Sequence, residues 1–251
     1  MSCSSRSPSP WPVLLLAAVI GAAFSLPPSA AGLERASEPD SYRDPLAVQL
    51  GVVDAPSEGH RTAARDAGRP RAELFLRTPS DSLITALIDS TSVGNMVETI
   101  VHLQDYGSRY VVLDSCWDAG YWIRDQFEGY GYTDVRLDTF RTMSFQDSVD
   151  AMNVIAVKEG TTRPSEYVVI GGHYDSVSSE NFEDPFAPAP GAEDNATAVA
   201  AVFEAARLLR DVPTDRSIMF ACWSAEEEGL WGSRHFVASA VEDSLDIVVY
   251  L

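Results

Sequence analysis

The residues with most chemistry in this chain are one histidine and three acidic stretches. Gly172-His173-Tyr174-Asp175 closes the apolar run 167–172. Gly191-Ala192-Glu193-Asp194-Asn195 precedes a helical stripe. Ser224-Ala225-Glu226-Glu227-Glu228-Gly229 follows the apolar run 218–223. In open α/β sheets, ligands gather in the loops beyond the carboxyl ends of the strands. Such loops would bring one imidazole and a cluster of carboxylates to a single sheet edge. Like charges so crowded repel each other unless a cation sits among them. A donor set of His and carboxylate, with no thiolate, suits zinc in a catalytic site, or manganese, iron or cobalt. A carboxylate shared between two ions is how two-metal sites are built. Adjacent glutamates at a strand end point in different directions, so one can hold metal while its neighbour faces a substrate as general base. Metal-activated water beside a Glu is machinery for hydrolysing an amide at neutral pH.

Each of these residues also has a structural reading. His173 could be a satisfied core histidine, Asp194 a helix cap, Glu226 to Glu228 a solvated acidic turn, and Asp175 a turn cap. Their places at successive strand ends favour the chemical reading for His173 and for at least one of the glutamates. Glu228 reads as solvated or salt-bridged. His102 and His235 read as structural or surface residues, and Arg109 as a core cation able to pair with a carboxylate. The sequon Asn195-Ala196-Thr197 opens a helix and is set aside as a glycosylation site.

The elements that must position this set can be read from periodicity. Apolar residues at helical spacing predict two short helices in 80–106, separated by Ser92-Val93-Gly94, and a further helix over 114–129. Alternation predicts a half-buried strand at 135–140, and a second strand covers 153–157. The continuous apolar runs 167–172 and 218–223 predict strands buried on both faces. Between and after them, 195–209 and 229–241 read as helices, the first capped by Asp194 or Asn195. Residues 246–251 read as the opening of another buried strand, with further chain expected beyond it. This order predicts an α/β fold with a mixed, mostly parallel central sheet and helices on both faces, incomplete at its C-terminal end. The segment 178–190, rich in Pro, acids and Phe, reads as a loop beside the mouth of the site.

The chain has 251 residues, 37 acids and 18 bases, for a net charge of −19. That sign argues against nucleic acid or an anionic membrane as main partner. The imbalance is local: residues 1–78 hold 8 acids and 8 arginines, while 79–251 hold 29 acids and 10 bases. The apolar run 13–26, followed by Pro27-Pro28 and the small residues Ser29-Ala30-Ala31, reads as a cleavable secretory signal over 1–31. An uncleaved anchor helix is the alternative; no later segment is long and apolar enough to span a bilayer. A secreted or periplasmic location follows from the signal. Residues 32–78 read as a linker or pro-segment. Cys116 and Cys222 could pair in a secreted chain, although Cys222 lies in a strand pattern that suits a buried free thiol.

His173-x-Asp175, Gly191-Ala192-Glu193-Asp194-Asn195-Ala196 and Glu226-Glu227-x-Gly229-Leu230-x-Gly232-Ser233 resemble the motifs of the co-catalytic zinc aminopeptidases. These form metallopeptidase family twenty-eight, which also includes glutamate carboxypeptidases and glutaminyl cyclases. Asn153-Val154-Ile155-Ala156 and Ser108-Arg109 fit earlier segments of the family, so the resemblance runs from about residue 80 to 251. It implies an exopeptidase that hydrolyses N-terminal peptide bonds, with a peptide bearing a free N-terminus as partner and two zinc ions per complete site. His173 would ligate one zinc, Asp194 would bridge both, and Glu227 would ligate the other. Glu226 would be the general base taking a proton from the bridging water, and Asp175 would orient His173. Glu193 and Ala198 stand where the family often has Asp and Gly. The resemblance also calls for two more ligands, an Asp at the end of the next strand and a His further on. Three of five lie within this chain, and the chain alone is expected to be inactive. Two alternatives share the scaffold: a one-zinc glutaminyl-peptide cyclotransferase, which the Glu193-Asp194-Asn195 and Glu226-Glu227-x-Gly229 patterns fit less well, and a non-catalytic interaction module.

Overall fold

A computed structural model of the chain describes residues 79–144 and 147–251. The proposed signal and the 32–78 segment lie outside the described residues. Helices α1 (Pro79–Asp89), α2 (Val93–Gln104) and α3 (Asp114–Gly129) come first. The Ser92 side chain caps α2 by accepting the Asn95 N–H, which is the break predicted between the first two helices. Strands β1 (Asp134–Ser144) and β2 (Asp147–Lys158) form a long antiparallel hairpin in register from Asp134↔Val157 to Ser144↔Asp147. Then follow β3 (Arg163–His173), α4 (Thr197–Leu209), β4 (Arg216–Trp223), α5 (Trp231–Glu242) and β5 (Asp246–Tyr250).

The sheet order is β1-β2-β4-β3-β5. β2 is antiparallel to both its neighbours, while β3 is parallel to β4 and to β5, so β2 alone runs against the other four strands. The sheet is mixed, as expected. All eight residues of β4 are buried. Alternate residues of the central strands serve opposite layers. Val154, Ala156, Val168, Ile170, Ile218, Phe220 and Cys222 face a core shared with α2, α3 and α4. Ile155, Val169, Met219, Ala221 and Trp223 face a smaller core against Phe236 and Ala240 of α5. Both layers of helices are thus present. β5 is half-buried rather than buried, because among the described residues it pairs with β3 on one side only.

Several predicted boundaries moved. The hairpin strands extend past 135–140 and 153–157, because the inward positions added to β1 are Thr142 and Ser144, polar residues that give no apolar alternation. The predicted helix 195–209 begins at Thr197, and residues Ala192–Ala196 form a wide turn in which Asp194 and Asn195 are not helical.

Cys116 and Cys222 are both buried free thiols, so the disulfide alternative is not realised. Burial raises both thiol pKa values, that of Cys116 to about 12. Thiolate is the reactive form. Both cysteines are therefore expected to resist iodoacetamide in the native protein and to react once it is denatured, as read by peptide mass spectrometry. Native labelling at either position, or a Cys116–Cys222 crosslinked peptide, would contradict this.

Candidate metal centre

β3 and β4 are parallel neighbours, with His173 opposite Trp223, so their carboxyl ends open on one edge of the sheet. His173 is buried at that edge. Its Nδ1 lies 3.2 Å from the Asp175 backbone oxygen and 3.5 Å from Asp175 Oδ1. Its Nε2 lies 3.0 Å from Asp194 Oδ1 and 3.6 Å from Glu226 Oε2. A donor atom of Glu227 lies within 4.8 Å of donor atoms of His173 and Asp194. The three residues read from sequence as metal ligands therefore converge, with Glu226 beside them.

Local chemistry explains the convergence. Asp175 is buried and does two jobs. It backs His173, and its two carboxylate oxygens accept the N–H groups of Glu226 and Glu227, each at 3.2 Å. Asp175 thus caps the turn, one of its two rival readings, and also lies beside the histidine of the other. The 224–231 turn is closed by Gly229 and Leu230 N–H groups on the Glu226 carbonyl and by Trp231 N–H on that of Ala225. Asp194 arrives on the wide turn before α4, where Asn195 Oδ1 accepts the Ala198 N–H at 3.1 Å. The N-cap position itself is Ala196, and Asn195, one residue before it, is the one of the two predicted caps whose side chain reaches the first turn. Gly191 opens this turn with φ +49, and a Cβ there would stand 2.5 Å from Ser176 Cβ and 2.7 Å from Arg109 Nη2, so only glycine fits. Glu193 is exposed and outside the cluster.

Some supporting residues were not legible as such. Asn153, read only as the start of a strand, is fully buried. Its Oδ1 accepts the Ser224 N–H at 3.1 Å, and its Nδ2 donates to Gly232 O and Asp138 Oδ2. An amide opening an apolar run was the available signal. Arg109 pairs with backbone carbonyls of Leu103, Tyr174, Pro190 and Gly191 rather than with a carboxylate. Glu228 is not simply solvated: its carboxylate accepts the Ser144 hydroxyl at 3.1 Å. His102 stacks on Trp122, and His235 stacks on Phe140 while bonding Asp138, structural places as expected.

Crowding shows in the protonation of the site. Burial alone would push the His173 imidazole down, but the hydrogen bond and charge of Asp175, with the charges of Glu226 and Asp194, outweigh it and raise it to about 9. Burial, together with Asp175, Asp194 and Glu226, pushes Glu227 up to about 7, with His173 opposing. One imidazole nitrogen and two carboxylates, with the other imidazole nitrogen turned to a carboxylate, form a donor set that fits zinc.

Residues 153–251, which carry all three motifs, match Peptidase family M28. The match agrees with the resemblance to the co-catalytic zinc aminopeptidases drawn from the motifs. A probable zinc metalloprotease of Pyrenophora tritici-repentis is 28% identical over 217 residues, covering 78% of this chain and 44% of that protein. Aminopeptidase YwaD of Bacillus subtilis is 34% identical over 119 residues, 47% of this chain and 24% of that one. The chain thus spans less than half the length of these relatives. The fold matches that of the Legionella pneumophila LapA aminopeptidase with a TM-score of 0.54 at 22% identity, over 77% of this chain and 50% of that one.

Protons and a metal ion compete for the same lone pairs. With His173 at about 9 and Glu227 at about 7, zinc uptake at pH 7 should displace about one to two protons, and apparent affinity should rise with pH toward 9. Calorimetric zinc titrations in buffers of different ionisation enthalpy measure this directly. Affinity independent of pH between 6 and 9, with no proton release, would contradict it.

Proposed function

We propose that this protein is a secreted zinc-dependent aminopeptidase, a peptide-bond hydrolase that removes N-terminal residues. The observation that carries the proposal is the convergence of His173, Asp194 and Glu227 within 4.8 Å, with Glu226 Oε2 3.6 Å from His173 Nε2. His173, Asp194 and Glu227 would hold the metal. Zinc would supply the Lewis acid that polarises the scissile carbonyl and makes water acidic enough to attack at neutral pH. The chain's own residues do the rest. Asp175 holds the His173 ring so that Nε2 faces the carboxylates. The same carboxylate pins the Glu226 and Glu227 backbone, so the two side chains diverge from a fixed turn. Glu226, partly exposed, takes the proton from the attacking water and passes it to the departing amine. The apolar run 13–26 and the small residues after it support export, and a 1–31 signal followed by a 32–78 linker or pro-segment completes the proposed organisation.

Glu226→Gln keeps the shape of the side chain and removes its basicity. In the full protein, kcat for a leucine anilide should fall by about 10²–10⁴-fold with zinc content unchanged. Retained hydrolysis would refute the role given to Glu226. Cyclisation of an N-terminal Gln peptide in place of anilide hydrolysis would replace the peptidase reading with acyl transfer.

A further inference from the structure

Arg109 lies between α2 and α3 and is completely buried. A buried guanidinium is costly unless its donors are satisfied. Here Nη1 donates to Leu103 O at 2.7 Å and to Pro190 O at 2.8 Å, Nη2 to Gly191 O at 3.0 Å, and Nε to Tyr174 O. These acceptors are not scattered. Tyr174 sits between His173 and Asp175, and Pro190-Gly191 leads into the turn that carries Asp194. The backbone of Arg109 ties the same two segments. Its N–H donates to Ser176 Oγ, its carbonyl accepts the Ser176 N–H, and Ser176 Oγ donates to Ala189 O at 2.7 Å. The fit has no slack, since even a methyl group on Gly191 would reach 2.7 Å from Nη2. Burial lowers the guanidinium's pKa, and the nearby Asp175 and Glu227 carboxylates work against that shift.

We propose that Arg109 is a positioning residue of the metal centre: it clamps the His173–Asp175 strand end to the Gly191–Asp194 turn and so sets the distance between His173 Nε2 and Asp194 Oδ1. This rests on the metal-site reading above. A lysine could not substitute fully, because an ammonium is a point donor, whereas these carbonyls match a planar fork.

Cobalt(II) titration of the full protein, followed by its visible d–d absorption, tests the clamp without activity as readout. Arg109→Lys and Arg109→Gln are compared with wild type and with Tyr132→Phe. The last removes a buried hydrogen bond to Ala206 O away from the site. All are titrated at a temperature where circular dichroism shows them folded. Cobalt affinity should fall about 10-fold in Arg109→Lys and toward 100-fold in Arg109→Gln, with an altered spectrum, while Tyr132→Phe binds as wild type does. A folded Arg109 variant with wild-type affinity and spectrum would overturn the proposal, as would an equal loss in Tyr132→Phe. Should neither Arg109 variant fold, Ser176→Ala cuts a tether of the same clamp: weaker cobalt binding supports the proposal and unchanged binding overturns it. Absence of cobalt binding by wild type would sink the metal reading and this inference together. Wild-type-like variants sink this inference alone.

Discussion

Mutual repulsion among the carboxylates at the end of β3 and β4 governs the rest of this structure. Asp175, Asp194, Glu226 and Glu227 share one edge with a single imidazole. Left alone, burial and the neighbouring charges raise the Glu227 carboxyl to about 7, and the carboxylates around His173 raise it to about 9. A divalent cation answers the same repulsion without neutralising the ligands. The fold brings these groups together through backbone hydrogen bonds and apolar packing beneath them, and those terms must outweigh the electrostatic cost.

The supports are buried, polar and few. Asp175 joins the histidine to the backbone of the two glutamates. Asn153 ties β2 to the start of the acidic turn and to the N-terminal end of α5. Arg109 ties the end of α2, the end of β3 and the approach to α4. Each sits where a buried polar group is satisfied by main chain, which makes its loss expensive and its geometry narrow. Beneath them, Gly172 lets α4 press on β3, where an added Cβ would meet that of Ala198 at 2.5 Å. Rigid elements thus carry the site, and short turns deliver the side chains.

Much of this was legible because apolar periodicity reports burial. The run 218–223 is a strand buried on both faces, and it became the fully buried β4. The stripe on α4 and the break between α1 and α2 at Ser92 follow the same local rules. The site residues were legible because His, Asp and Glu stand immediately after apolar strands, where core packing gives no reason for them. What stayed hidden depended on partners distant in sequence. Arg109 gave no hint that three of its four acceptors would be carbonyls 65 to 82 residues away. Thr142 and Ser144 extend β1 without an apolar signal, and Ser144 meets Glu228 across 84 residues. Asp175 bridges two rival readings only because β3 and β4 end side by side.

The most direct measurement is anomalous diffraction at the zinc edge from crystals of the protein grown with zinc. The account predicts an anomalous peak about 2.0–2.2 Å from His173 Nε2 and from carboxylate oxygens of Asp194 or Glu227. Zinc bound only elsewhere, with His173 still hydrogen-bonded to Asp194 and no peak between them, would contradict it.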